Sequence, residues 1–264
     1  MKSYSVEAFV LRMRPLGEAD RILTLFSRER GKLTGVAKGV RKTQSKFGAR
    51  LEFMARSQLS LHAGRSLDVI TAARLVSGVW EQLVVPEVYS LASYLAEAID
   101  GLCEPELPVP ELFDMLCEFQ DVVAARSRLL DAESLQALRV VMDVRLLAAL
   151  GFALELDACV RCGSELGRRP FAGGRAALSP EAGGLVCRRC LDSGSGDEGE
   201  MRRDLYTVRL TAAQFELLRE ARTLSFDEAI AKPALAPVAR ATQAFVAHHV
   251  GRASKSLSAA GGRA

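Results

Sequence analysis

From Tyr4 to Leu75 apolar positions recur with a period near two, interrupted at intervals by glycine. The stretches Tyr4–Leu11, Arg21–Ser27, Lys32–Ala37, Leu51–His62 and Ser66–Leu75 are rich in leucine, β-branched and aromatic residues. Gly17, Gly31 and Gly64 fall in the turns between them. Short strands punctuated in this way predict a small antiparallel barrel or sandwich. One connection departs from the pattern. Lys38–Gly48 is polar, basic and flanked by glycine, which predicts a loop rather than a strand.

After Trp80 the apolar period lengthens to that of a helix. Val88, Leu91, Leu95, Ile99 and Leu102 share one face, with Pro86 near the start and Gly101 at the end. A second helix opens at Pro110 and carries Leu112, Leu116, Phe119 and Val123. A third carries Leu135, Leu138, Val141, Val144 and Leu147 and stops at Gly151. Each stripe reads as core. Pro105, Pro108 and Pro110 stiffen the connection from Glu104, which is expected to hold the first two helices apart. Further on, Thr211 is placed to cap a helix to Ala221 bearing Phe215, Leu217 and Leu218. Pro237 falls in the first turn of a last helix ending near Gly251.

The fold class this predicts is multidomain α+β, a small antiparallel β-barrel followed by an α-helical domain with a cysteine-bearing insert. The expected divisions are a barrel at 1–78, helical parts at 79–155 and 193–252, the insert at 156–192 and a disordered tail at 253–264. Asp192–Glu200 is acidic and rich in glycine and serine, which predicts a flexible linker opening the second helical part.

Of the 264 residues, 49% are hydrophobic and 25% charged, which excludes fibrous and wholly disordered classes. No apolar run is long enough to span a bilayer, and Met1–Glu7 lacks the core of a secretory signal. The expected address is the cytoplasm, where six cysteines favour metal binding over disulfides. The net charge of +3 says little, but its distribution says more. Between Arg28 and Arg56 nine basic residues face two acidic ones, a net +7 within 29 residues. So dense a basic segment is the footprint of a polyanion, although charge alone is equally met by a solvated loop without a partner.

The chemistry concentrates in four cysteines. Cys159-Val160-Arg161-Cys162-Gly163 and Cys187-Arg188-Arg189-Cys190 are two CxxC knuckles separated by 24 residues. Each pair offers two thiolates to one ion, and two pairs close the tetrahedral shell of a structural Zn²⁺ site. Arg161, Arg188 and Arg189 offset the negative charge that such a shell retains. Gly173-Gly174 and Gly183-Gly184 between the knuckles predict a hairpin ribbon. A full thiolate shell leaves no open position for catalysis, and His62, His248 and His249 lie far from it in sequence. His248 and His249 are adjacent, so they diverge on a helix and read as surface or helix-end residues. Cys103 and Cys117 fall on or beside apolar helical faces and read as core. No phosphate-cradling loop, dinucleotide fingerprint, nucleophile elbow or clustered carboxylate set appears, so the chain is not expected to be an enzyme.

This combination resembles the RecO family of bacterial DNA repair and recombination mediators. The resemblance rests on Ala8-Phe9-Val10-Leu11, on Gly17-Glu18-Ala19-Asp20-Arg21-Ile22-Leu23-Thr24-Leu25-Phe26-Ser27, and on Gly31-Lys32-Leu33. Ala37-Lys38-Gly39-Val40-Arg41-Lys42 continues it, and the runs Gly17–Arg21 and Ala37–Lys42 are its most specific parts. It implies an N-terminal OB-fold, a C-terminal helical domain, and binding of single- and double-stranded DNA with strand annealing. It further implies cooperation with RecR in loading RecA onto strands coated by single-strand-binding protein, a link to RecF, and association with the nucleoid.

From the residues themselves, the expected DNA surface comprises Lys32, Lys38, Arg41, Lys42, Lys46 and Arg50, with Phe47 as the stacking platform in the polar loop. Phe26 and Phe53 read as barrel core. With so few aromatics, binding should rest on phosphate contacts and be weakly selective for sequence. The resemblance also implies a dock for the acidic tail of single-strand-binding protein. Candidates for its basic rim are Arg126, Arg128, Arg139 and Arg145 among Leu129, Leu130, Leu138 and Leu146, although simple solvation of a helical bundle would place arginines there too. A different class of function stays open: a zinc-bearing adaptor whose basic loop docks an acidic protein partner.

Overall fold

The computed structural model describes residues 3–42, 45–165, 176–192 and 208–251. They form two compact units that divide between Ser127 and Arg128. The first unit begins with strands β1 (Ser3–Leu16), β2 (Asp20–Ser27), β3 (Gly31–Ala37), β4 (Arg56–His62) and β5 (Asp68–Ser77). They close into an OB-like barrel in the order β1-β2-β3-β5-β4. Every pairing is antiparallel except that of β3 with β5, where Gly35 lies opposite Asp68 and Val36 opposite Val69.

Alternation decides which side chains fill the barrel. Val6, Ala8 and Val10 of β1 meet Leu23, Leu25, Leu33, Leu59, Leu61 and Ile70 in the interior. The intervening Phe9 points the other way and packs edge-on against Phe113, with ring centroids 5.1 Å apart. The central part of β1 is thus buried on both faces, which is why Ala8–Leu11 is continuously apolar.

Phe113 belongs to helix α2 (Pro110–Arg126), which follows α1 (Pro86–Leu102). Both helices start on proline, whose fixed φ and missing N–H suit the first turn. The connection between them is more than a spacer. The Glu106 amide donates to the Lys32 carbonyl at 2.9 Å, and Arg30 pairs with the Glu106 carboxylate at 3.4 Å. Gly31 makes this contact possible: a Cβ there would sit 2.0 Å from the Leu107 carbonyl oxygen.

The expected strand from Leu51 begins only at Arg56. Gly48–Leu51 is instead a 3₁₀ turn, and Met54 adopts a left-handed φ of 59° before β4 starts. Gln120 of α2 holds that bend. Its side chain is buried, its Nε2 donates to the Met54 carbonyl at 2.6 Å, and its Oε1 accepts from Ser77 Oγ at 2.6 Å.

In the second unit, Asp131 caps helix α3 (Ala132–Ala149) by accepting from the Ser134 amide at 2.8 Å. Twelve of its 18 residues are buried, so it is a central helix rather than a one-faced one. After the short helix α4 (Arg188–Asp192) come α5 (Ala212–Ala221), α6 (Phe226–Ile230) and α7 (Ala239–Val250). Thr211 with Gln214, and Ser225 with Glu228, form reciprocal capping boxes at α5 and α6. Pro237 lies in a 3₁₀ segment, Pro233–Val238, immediately before α7 rather than in its first turn. Gly251 ends α7 in the left-handed conformation expected of a helix stop. The linker reading from residue 193, the tail reading from 253 and Gly173-Gly174 fall outside the described residues. No helix among the described residues is long and apolar enough to cross a membrane.

Replacing Gln120 with alanine leaves the buried Met54 carbonyl and the half-buried Ser77 hydroxyl without their partner and opens a cavity. We expect a loss of roughly 2–4 kcal/mol in unfolding free energy. Urea unfolding followed through Trp80, the only tryptophan, measures it; a loss within about 0.5 kcal/mol would contradict the role assigned to Gln120.

Candidate metal centre and nucleic-acid interface

Strands β6 (Ala176–Ser179) and β7 (Gly184–Val186) form the hairpin expected before the second cysteine pair, and β8 (Val208–Leu210) adds to its other edge. The chain carrying the first pair runs alongside β7. The Leu185 amide donates to the Glu155 carbonyl at 2.9 Å, and the Val160 amide donates to the Leu185 carbonyl at 3.0 Å. Gly184 permits this approach, because a Cβ there would sit 2.5 Å from the Glu155 carbonyl oxygen. The Gly163 amide closes the first knuckle onto the Cys159 carbonyl at 2.8 Å. Cys187 follows β7 directly, and Cys190 lies on α4.

This arrangement brings all four sulfurs within 4.8 Å of one another. Cys162 Sγ and Cys187 Sγ are 3.8 Å apart, about the 3.8 Å edge of a tetrahedron with metal–sulfur bonds near 2.3 Å. The Cys187 amide donates to Cys159 Sγ at 3.3 Å, the contact that stabilises a thiolate. Hydrogen bonding from the Ser164 hydroxyl and amide holds the Cys162 thiol down to about 6. Loss of solvation, followed by its hydrogen bonding with Cys162, pushes Cys190 up to about 12. The four groups resist ionising together unless a cation sits among them. The donor set therefore fits a metal ion held in a closed thiolate shell. Arg161, Arg188 and Arg189 are exposed at the knuckles.

At the barrel, the two most specific sequence runs turn out to be one structural unit. The Gly39 amide donates to Asp20 Oδ1 at 2.8 Å, and the Arg41 amide donates to the Ala19 carbonyl at 3.0 Å. Arg41 Nη1 reaches the Gly17 carbonyl at 3.2 Å. The turn between β1 and β2 thus carries the start of the basic connection, on which Lys38, Arg41 and Lys42 are exposed. Lys46 is also exposed and donates to the Thr71 carbonyl at 2.8 Å. Arg50, likewise exposed, donates to the carbonyls of Lys46 and Phe47 at 3.0 and 3.1 Å.

Two of the expected contact residues are placed elsewhere. Phe47 is 1% exposed and packs inside the barrel with Val40, Leu51 and Ala55, so it offers no face to a base. Lys32 points to α1, where Nζ donates to the Asp100 carbonyl at 2.5 Å and lies 3.6 Å from its carboxylate. Its stem replaces an expected phosphate contact with a helix anchor. Phe26 is core as expected, whereas Phe53 is half-buried against Tyr89 at 5.6 Å.

Among the arginines considered for a peptide groove, Arg139 is buried beside Asp143 at 3.8 Å and cannot form a rim. Asp143 is itself fully buried and accepts from Thr242 Oγ1 at 2.6 Å. Arg145 lies over the Phe226 ring at 4.6 Å. Arg126 and Arg128 are exposed. The sequence reading missed Asp20 and Gln120, because their partners lie 19 and 66 residues away. No local spacing signals such contacts.

Residues 1–79 match the family model described as Recombination protein O N terminal, and residues 85–258 match that described as Recombination protein O C terminal. A DNA repair protein RecO of Frankia casuarinae is 37% identical over 201 residues, 74% of this chain and 76% of the relative. A DNA repair protein RecO of Desulfitobacterium hafniense is 35% identical over 198 residues, 74% of this chain and 67% of the relative.

The purified chain is expected to carry one tightly held metal ion. Changing Cys162 to alanine should bring metal content to near zero and cost more than about 4 kcal/mol in the second unit. Elemental analysis with calorimetry checks both; a metal-free chain of unchanged stability would overturn the assignment.

Proposed function

The chain belongs to the recombination protein O family, whose role is in DNA repair and recombination, and from that premise we propose that it is a non-enzymatic DNA-binding mediator. In this reading it binds single- and double-stranded DNA through the barrel's basic connection and anneals complementary strands without ATP. The observation that carries it is the gathering of Lys38, Arg41, Lys42 and Lys46, all exposed, on one connection of an OB-like barrel. Barrels of this kind hold nucleic acid by pairing a positive surface with the phosphate backbone.

The family membership supports the finer parts of the proposal. With RecR, and in a pathway linked to RecF, the protein helps RecA load onto strands coated by single-strand-binding protein. The acidic tail of that protein docks through exposed arginines, of which Arg126 and Arg128 are the candidates. The metal is one structural Zn²⁺ held by Cys159, Cys162, Cys187 and Cys190, since zinc prefers a closed tetrahedral thiolate shell. It supplies folding free energy and no step of a reaction. DNA as the ligand implies a cytoplasmic, nucleoid-associated protein.

Replacing Lys38, Arg41 and Lys42 together with alanine should weaken binding to oligonucleotides of any sequence to a similar degree. The slope of log affinity against log salt should fall by about 0.7 for each single-strand phosphate that is no longer neutralised. Salt titrations of parent and variant read both quantities. Parental affinity in the variant would move the DNA site away from this connection. Capture of an acidic peptide by the same connection, without DNA binding, would favour the adaptor reading.

A further inference from the structure

Asp20 is an acid beneath a cluster of cations that, on the proposed reading, meets a polyanion. By charge alone it opposes DNA binding. Its geometry argues the reverse. Asp20 opens β2, and its Oδ1 accepts the Gly39 amide at 2.8 Å where the chain bends after β3. Gly39 has a φ of +68°, and its carbonyl in turn accepts the Lys42 amide at 3.2 Å. The Arg41 amide and guanidinium bond the carbonyls of Ala19 and Gly17, on either side of Glu18 in the same β1–β2 turn. With the bond from the Ser45 amide to the Lys42 carbonyl at 2.9 Å, five hydrogen bonds tie down the segment from Gly39 to Lys42, and only one of them uses a side chain from outside it. That one is from Asp20.

Three cations within the five residues Lys38–Lys42 repel one another, and an unanchored loop would separate them. Ordering them on the duplex or strand would then have to be supplied at the moment of binding. We propose that Asp20 is the positioning residue of the basic connection: it holds Gly39 so that Lys38, Arg41 and Lys42 are presented together to phosphates. The proposal rests on the DNA-binding reading above and adds to it a residue that touches no nucleic acid. What matters is the placement of an acceptor atom, not the negative charge.

The two accounts of Asp20 differ in sign. If it acts only by charge, every substitution that removes the carboxylate should tighten DNA binding. If it positions, Asp20→Ala should weaken binding about tenfold and lower the salt slope by the share of about one phosphate. Asp20→Asn keeps an acceptor oxygen in place and should bind at least as tightly as the parent. Asp20→Glu keeps the charge but moves the oxygen by a methylene, and should weaken binding as alanine does.

Fluorescence anisotropy of a labelled single-stranded oligonucleotide over a salt series, with thermal melting through Trp80, tests the set. The Lys38→Ala, Arg41→Ala, Lys42→Ala variant run alongside separates failure of this inference from failure of the DNA-binding reading. If that variant loses affinity while Asp20→Ala and Asp20→Glu bind like the parent, the positioning role is overturned. Tightening by both Asp20→Ala and Asp20→Asn overturns it as well, in favour of charge alone. Weakening by Asp20→Asn as great as by Asp20→Ala also overturns it, because the acceptor would then be irrelevant. Should Asp20→Ala melt below the assay temperature, the contrast between Asp20→Asn and Asp20→Glu, both full-length and both polar at this position, decides the matter by the same criteria.

Discussion

Closure of the barrel through the parallel pairing of β3 with β5 governs the first unit. Because β5 lies between β3 and β4 in the sheet order, the chain leaving β3 has to bypass a strand that has not yet been made before it can start β4. A connection of that length is stable only if it contributes to the core it skirts. It does so through Val40, Phe47, Leu51 and Ala55, all of which join the barrel interior. Among the described residues between those anchors, Arg41, Lys42, Lys46 and Arg50 are all exposed. Charge display at this surface is a consequence of where four apolar side chains must go.

The same constraint explains what sequence reading captured and what it missed. Most strand and helix positions followed from periodicity, since the barrel interior and the buried faces of α1 and α2 repeat at the strand and helix periods, whereas the strand expected from Leu51 begins only at Arg56. The four cysteines were legible because paired spacing is chemistry confined to a few adjacent residues. Phe47 was not. Its neighbours Lys46 and Gly48 give it a polar local context, and only the non-local return of the connection to the barrel makes it core. Lys32 misleads for a similar reason, since its partner Asp100 is 68 residues away on α1. For Arg139 the i,i+4 relation to Asp143 was visible in the sequence, but the burial of nearly the whole circumference of α3 was not.

The two polar centres of the molecule solve opposite electrostatic problems. Four thiols gathered within 4.8 Å hinder one another's ionisation as negative charge accumulates, and a cation held among them would relieve that conflict from inside the cluster. In the basic connection the like charges are cations on exposed side chains, and their relief comes from outside. Solvent screens them, and on the proposed reading a polyanion neutralises them. The first cluster is therefore suited to building structure and the second to reversible binding, even though each is assembled on a tight turn fixed by backbone hydrogen bonds.

Withdrawal of Phe47 into the barrel bears on annealing. A single-strand binder that stacks bases on aromatic rings has to give up that stacking before the bases can pair with a second strand. The described part of the basic connection offers cations but no exposed aromatic ring. On the proposed reading it grips phosphates and leaves the Watson–Crick edges in solvent. Neutralising phosphates also lowers the repulsion between two approaching strands, so the contact that holds one strand favours the arrival of its complement. On that reading, weak discrimination among sequences, a deficiency in a repressor, is what the task requires, because the complementary strand would supply the specificity.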